Sequence, residues 1–230
     1  MLSYLKHTFK CSQLLSDSAL EKLCIGGKVY EHDQRGIKVI RLQSGDFLKI
    51  FRARNLFSAT RVYSHARRFC RNVSRLKALG IPTVEIKALY HLQQRGHTAV
   101  LYQPLEGESI RNIVQHDKKR MLKTKTTFGV FLANLHIKGV HFHSLHTGNI
   151  LLLPNNQFGL IDVSDMTIYP WKLSCGTRLR SFKRLCKYQE DISVLGREYW
   201  QTMLSAYIEI SHSGTACRKR LLSFKPYEHY

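Results

Sequence analysis

Near the middle of this 230-residue chain the spacing of its apolar residues changes, and that change restricts the fold more than any other feature. Up to about residue 102 the dominant pattern is that of short strands. Residues 28–32, 37–42 and 47–51 are β-rich runs, separated by Asp33-Gln34-Arg35-Gly36 and Gln43-Ser44-Gly45-Asp46. Runs of this length bounded by Gly and Asp turns read as a three-stranded meander. A helix over 58–79 follows, capped by Ser58, with Val62, Ala66, Phe69, Val73 and Leu76 spaced by fours and threes on one buried stripe. Gly80 and Pro82 end it. Residues 84–92 and 98–102, joined by Gln93-Gln94-Arg95-Gly96, read as a further hairpin, so the order is β-β-β-α-β-β.

Gln103-Pro104-Leu105-Glu106-Gly107 breaks this pattern, and helical spacing takes over. Thr126 or Thr127 caps a helix with Phe128, Phe131, Leu132 and Leu135 on one face, ending at Gly139. A small hairpin, 150–153 and 158–161, turns at Pro154-Asn155-Asn156. Ile192, Leu195, Tyr199, Met203 and Ala206 mark a long amphipathic helix over 190–210. A β-rich half before a helical half predicts an α+β chain in two lobes. The expected division is a lead-in over 1–24, a five-stranded lobe with one helix over 25–103, and a small, mainly helical lobe over 104–230.

Charge narrows the partners. Lys and Arg number 36 against 16 Asp and Glu, a net +20. Such a surface attracts polyanions: nucleic acid, anionic lipid headgroups, or phosphorylated glycolipid and nucleotide. The clusters Lys118-Lys119-Arg120 and Arg178, Arg180, Lys183, Arg184, Lys187 read as solvated faces toward a phosphate-rich partner. No stacking motif or recognition helix accompanies them, so no specific nucleic acid is expected. No apolar run is long enough to span a membrane. The N-terminal stretch lacks an unbroken apolar core, so no signal peptide is read there and a cytoplasmic protein is expected. Cysteines stand at 11, 24, 70, 175, 186 and 217 without C-x-x-C or zinc spacing, and are expected as free thiols.

The chemistry concentrates in His141-Phe142-His143-Ser144-Leu145-His146-Thr147-Gly148-Asn149-Ile150 and Gly159-Leu160-Ile161-Asp162-Val163. A helix ends, a polar loop follows, and a short hairpin returns an Asp 13 residues after Asn149. An Asn amide oxygen and a carboxylate so placed can jointly grip one Mg²⁺ together with nucleotide phosphates. The stretch resembles the catalytic loop and metal-binding Asp of the protein-kinase-like superfamily, H-x-D-L-H-x-G-N-I-L followed by I-D. Leu145, His146, Gly148, Asn149, Ile150 and Leu151 match in order, and Asp162 lies at the expected distance.

Other segments are similar at corresponding places. Phe47-Leu48-Lys49-Ile50-Phe51 carries a lone strand Lys, which the resemblance assigns to the α/β-phosphates of ATP. Tyr102-Gln103-Pro104-Leu105-Glu106-Gly107 resembles the hinge that binds adenine, with Tyr102 as its first residue, and Gly36 stands in for the missing G-x-G-x-x-G. Asp191 resembles the buried Asp that ties the long helix to the catalytic loop. Within the superfamily the chain most resembles the bacterial lipopolysaccharide-kinase group, the inner-core heptose and Kdo sugar kinases, and especially the small toluene-tolerance proteins. Gly36-Ile37-Lys38-Val39, Leu48-Lys49-Ile50-Phe51-Arg52, Ala66-Arg67-Arg68-Phe69-Cys70-Arg71-Asn72 and Phe142-His143-Ser144-Leu145-His146-Thr147-Gly148-Asn149 carry that likeness.

The resemblance implies a kinase that uses ATP and Mg²⁺, with Asn149 and Asp162 as metal ligands. It also implies an anionic glycolipid acceptor, the lipopolysaccharide core, met by peripheral contact with the inner face of the inner membrane. Two departures divide the expectation. Ser144 stands where the family has its catalytic Asp, and the first long helix offers Arg67, Arg68, Phe69, Cys70 and Arg71 but no Glu to pair with Lys49. Either another group, His143 or Asp165, serves as base, or the chain is a nucleotide-binding pseudokinase or scaffold. Ser144 is then a loop hydrogen-bonder or a reacting group. Phosphoryl transfer depends chiefly on positioning and charge neutralisation, so loss of a base slows it without abolishing it.

Overall fold

The computed structural model describes residues 12–34, 36–52, 59–93 and 97–225, with the side chains of 59–64 outside that description. The expected cap Ser58, the turn residue Arg35, the turn Gln94-Arg95-Gly96 and the side chain of the stripe residue Val62 lie outside that description. The chain is mixed α+β and divides into two units, Met1–Leu105 and Glu106–Tyr230.

The first unit holds β1 (Gln13–Leu15), α1 (Asp17–Cys24), β2 (Lys28–Asp33), β3 (Gly36–Arg41), β4 (Phe47–Phe51), α2 (Ala59–Ala78), β5 (Glu85–Leu92) and β6 (Thr98–Gln103). They form one sheet in the order β1-β5-β6-β4-β3-β2. Among the described residues this unit has six strands and two helices, where five and one are expected. The lead-in is the difference. Three residues, Gln13–Leu15, pair in parallel with β5, Gln13 opposite Tyr90. A run that short shows no period in the sequence, and its partner lies far along the chain. Ser16 caps α1 by accepting from the Ala19 N–H. Leu15, Leu20, Leu23 and Cys24 then settle against the core of Ile40, Leu42, Leu48, Ile50, Leu92 and Ala99. They are only partly buried, so each contributes less than the about 1.5–3 kcal/mol of a fully buried Leu, before ordering costs.

Strand alternation sends Leu48 and Ile50 to that core and Lys49 to the other face. The stripe of α2 is as its spacing predicts: Ala66, Phe69, Val73 and Leu76 are all buried. Cys70 beside them is buried as well, and burial pushes its thiol up to about 12. It is a packing residue, not a nucleophile.

The second unit runs β7 (Glu108–Ser109), α3 (Ile110–His116), α4 (Lys118–Leu122), α5 (Lys125–Ile137), β8 (Val140–Phe142), a 3₁₀ turn (Thr147–Asn149), β9 (Ile150–Leu152), β10 (Phe158–Leu160), β11 (Met166–Ile168), α6 (Cys175–Leu185), α7 (Gln189–Ser211) and α8 (Thr215–Leu222). Its strands form two small sheets, β10-β9-β7 and β11-β8. The core is α5 against α7. Gly129 sets their spacing, because a Cβ there would lie 2.1 Å from the Met203 carbonyl oxygen. The long helix is not continuous: Gly196 has φ 77, which breaks the helical path and which glycine alone adopts cheaply. The cap of α5 is Thr124, not Thr126 or Thr127, and its hydroxyl donates to the Met121 carbonyl instead of capping.

Two further expectations are corrected in this unit. Cys175 and Cys217 are bonded, with Cα atoms 5.6 Å apart, within the range a disulfide requires. Their separation of 42 positions in the chain hides the pairing from any motif reading. Cys24, Cys70 and Cys186 are free. Arg178 is not a solvated residue: it is buried, its Nε donating to the Leu173 carbonyl and its Nη1 to the Ser211 carbonyl and the Ser213 hydroxyl. Those bonds make it a pin between α6 and the end of α7.

His136 of α5 lies fully inside this core, its Nδ1 2.8 Å from the Tyr207 hydroxyl. Burial first, then the nearby Arg178 and His141, lower its pKa from 6.5 to about 3. Between those two pH values the unfolded chain binds a proton that the folded chain refuses. Stability is therefore complete above pH 6.5 and falls as pH drops, by about 1.4 kcal/mol per pH unit from this group. Denaturant titrations of wild type and His136→Gln at several pH values check this: the acid slope of wild type should be steeper.

Candidate functional site

In the second unit, the polar loop between β8 and β9 is built from its ends inward. β8 and β11 pair antiparallel, Phe142 opposite Met166 and His141 opposite Thr167. Just past β8 the His143 N–H donates to the Asp165 carbonyl at 2.9 Å, which brings residues 143 and 144 beside residue 165. The Ser144 hydroxyl is within a long 3.5 Å hydrogen bond of Asp165 Oδ2. Leu145 is buried and fixes the loop. His146 Nδ1 accepts from the Gly148 N–H at 3.1 Å and starts the turn Thr147–Asn149.

That turn is anchored from below. The Thr147 hydroxyl donates to Asp191 Oδ2, and the same oxygen accepts from Arg111 Nε at 2.9 Å. Asp191 is buried at the start of α7, and Arg111 comes from α3. The Arg111 guanidinium also stacks 4.1 Å from the Tyr188 ring centroid. Burial works against the charge on Arg111, but its bond to Asp191 outweighs that and raises its pKa.

Asn149 and Asp162 are brought together by the hairpin between them. Ile150 pairs with Leu160, and the Ile161 N–H donates to the Asn149 carbonyl at 3.1 Å, so Asp162 follows one residue beyond. Asn149 is buried, and its Nδ2 donates to the Ser144 carbonyl at 3.0 Å. The amide is thereby oriented and its Oδ1 is left as the acceptor. Asp162 has φ 51, a left-handed conformation that costs energy for most residues and is best tolerated by Asn and Asp. Strain of this kind clusters at ligand sites.

Two of the surrounding imidazoles, His146 and His141, are shifted toward the neutral form. Burial, then Arg111 and Lys187, lower the pKa of His146, against an opposing pull from Asp162 and Asp191. Burial, then His143, Arg184 and Arg180, lower His141 to about 4, and Arg184 Nη1 stands 2.7 Å from its Nε2. His143 contacts the His141 ring at 4.2 Å between centroids and bonds the Thr167 hydroxyl through Nε2 at 3.1 Å. The second unit thus gathers Ser144, His143, Asp165, Asn149 and Asp162 around one loop.

The remaining expected site residues belong to the first unit. Lys49 is buried on β4, opposite Val39 and Val100, with Nζ 5.8 Å from the ring centroids of both Phe51 and Phe69. It lines a depression of about 190 Å³ together with Asp33, Lys38, Arg52 and His65. Gly36 opens β3 opposite Asp33 with φ 107. Tyr102 stacks on Phe47 at 5.9 Å and tilts against Phe69 at 5.6 Å.

Chemically, Asn149 and Asp162 present only oxygens, which suits a hard cation such as Mg²⁺. Among the described residues no three His, Cys, Asp or Glu side chains converge as a metal cage. A cation here would need further oxygens from a bound phosphate ligand, as Mg²⁺ commonly takes them. Three contributors were not foreseen: Arg111, the Thr147 hydroxyl and Asp33. Thr147 lies inside the motif, but Arg111 is 80 residues from its partner and carries no sequence signal. No family model matches the chain, and no curated protein matches it.

Proposed function

We propose that this chain is a phosphotransferase of the protein-kinase-like, two-lobed type that uses ATP and Mg²⁺. In this reading Lys49 holds the α/β-phosphates, Gly36 and Tyr102 border the nucleotide, and Asn149 and Asp162 hold the metal. Bound Mg²⁺ would neutralise charge on the transferring phosphoryl group. The observation that supports the reading most is the hairpin that sets an oriented Asn149 amide beside an Asp162 held at φ 51. The acceptor proposed is the one the resemblance implies, a sugar hydroxyl of an anionic glycolipid such as the lipopolysaccharide inner core. The setting that goes with it is cytoplasmic, at the inner face of the bacterial inner membrane. Among the described residues no helix is long and apolar enough to cross a membrane.

The missing base has a candidate replacement. Ser144 occupies the family's Asp position, and its hydroxyl points to the Asp165 carboxylate, which is exposed. Asp165 would take the proton of the acceptor hydroxyl while Ser144 positions it. His143 fits the role less well, since its Nε2 is engaged by Thr167. Ser144 itself, together with the absence of a Glu in the described part of α2, favours the second reading, a nucleotide-binding pseudokinase or scaffold.

Single-turnover phosphoryl transfer with ATP, Mg²⁺ and extracted core glycolipid separates the two. The kinase reading expects Asp165→Asn to slow transfer by about 10²–10⁴-fold, the usual worth of a positioned base, with ATP affinity kept. Ser144→Asp should leave the rate flat or lower it, because it adds a negative charge close to Asp165. Wild-type transfer indistinguishable from that of Asp162→Ala would reject the kinase and leave the pseudokinase.

A further inference from the structure

From residue 166 to residue 189 the sequence contains no Asp or Glu, while Lys172, Arg178, Arg180, Lys183, Arg184 and Lys187 all fall there. Helix α6 sorts these charges by face. Arg178, Ser181, Phe182 and Leu185 are buried, Arg180 and Lys183, three apart, are exposed on the helix, and Lys187, just past its end, is exposed as well. None of Lys172, Arg180, Lys183 or Lys187 has a carboxylate partner among the described residues. Arg180 donates to the Thr177 hydroxyl at 2.8 Å, within its own helix.

Just before α6 in the chain stands an aromatic residue that the fold does not bury. Trp171 is 65% exposed, although the loop that carries it is fixed at both ends. The Tyr169 N–H donates to the Gly139 carbonyl and the Leu173 N–H to the His136 carbonyl, each at 2.9 Å. The Tyr169 ring supports the indole from one side at 5.8 Å. One exposed ring is ordinary on its own; what sets Trp171 apart is that it lies within a run of 24 residues without a carboxylate. The disulfide from Cys175 to Cys217 also holds the exposed Arg218 next to the start of α6.

We propose that this face of the second unit docks on the headgroup plane of an anionic bilayer, with Trp171 in the interface and Lys172, Arg180, Lys183 and Lys187 on the phosphates. The proposal does not depend on the chain being a kinase. Unopposed positive charge on an exposed helix and at both of its ends complements a plane of negative headgroups, and each Lys or Arg near such a surface adds attraction. Trp favours the boundary because its ring is amphipathic. A single-stranded nucleic acid would call for successive aromatic platforms along the basic track. Here one exposed ring sits at one end.

Tryptophan fluorescence reads the docking directly. The chain has two Trp residues, and Trp200 is only 3% exposed, so a bilayer-dependent change reports Trp171. The probes are vesicles of phosphatidylcholine with and without phosphatidylglycerol, at low and high salt. Expected are a blue shift and co-sedimentation with the anionic vesicles only, both weakened by salt. Trp171→Phe should silence the shift. Arg180→Ala/Lys183→Ala/Lys187→Ala should weaken binding about fivefold per charge, on the order of 100-fold together. The triple Lys22→Ala/Lys28→Ala/Arg41→Ala removes equal charge from exposed positions of the other unit and should change binding little. The proposal is overturned by absence of binding to anionic vesicles, by equal losses in both triple variants, or by preference for a single-stranded oligonucleotide over the vesicles.

Discussion

Replacing Asp191 by Ala is expected to destabilise the unit Glu106–Tyr230 by about 3 kcal/mol. Asp191 is 1% exposed, and one of its oxygens holds both Arg111 and the Thr147 hydroxyl. Removing one partner of a buried ion pair costs about 3–5 kcal/mol, because the remaining charge is left without its counter-ion. The low end applies because the Arg111 side chain is 32% exposed and water screens it. Asp191→Asn keeps an acceptor for Thr147 and removes only the charge, so it should fall between wild type and Ala. The loss should also reach function. Thr147 opens the turn that ends at Asn149, so loosening it frees the amide that Ser144 orients. Urea titration of the three proteins measures the stability term. A change below about 1 kcal/mol for Asp191→Ala would mean that the pair adds nothing beyond a surface contact.

How much of this was legible beforehand depends on the range of the contacts. The meander β2–β4, the stripe of α2 and the hairpin β9–β10 are local, so turn residues and periodicity reveal them. The pairing of Asn149 with Asp162 was readable for the same reason, since a short hairpin joins them. What escaped depends on distance along the chain or on side-chain burial. β1 needs β5, Cys175 needs Cys217 and Arg111 needs Asp191, and no local pattern announces any of these partners. Helix α6 was hidden because its charges look solvated in sequence, whereas Arg178 turns inward to three acceptors. The kink at Gly196 was hidden by an apolar period that continues across it. Asp162's left-handed φ, the strongest mark on the candidate site, is a backbone property that residue type permits but does not predict.

The largest functional effect is expected at Asp162. In the proposed reading its carboxylate and the Asn149 amide oxygen are the protein's two ligands to a cation otherwise held by water and phosphate oxygens. Groups that merely support a metal ligand are worth about 10–100-fold in affinity, so removal of a direct ligand should reach the top of that range or exceed it. Lys49 is a separate contact and should retain a weak, metal-independent interaction with the phosphates. Asp162→Ala is therefore expected to bind ATP weakly and equally with or without Mg²⁺. Asp162 is exposed but sits at φ 51, which Ala adopts less readily than Asp, so Asp162→Asn is the companion variant that keeps the backbone preference, and circular dichroism and urea titration verify that both fold.

Calorimetric titration of ATP into the wild-type chain, with Mg²⁺ and with chelator, tests the central claim most directly. The account predicts saturable binding that strengthens on the order of 100-fold when Mg²⁺ is present, and loss of that difference in Asp162→Ala. Equal affinity with and without Mg²⁺, or no ATP binding under either condition, would contradict it.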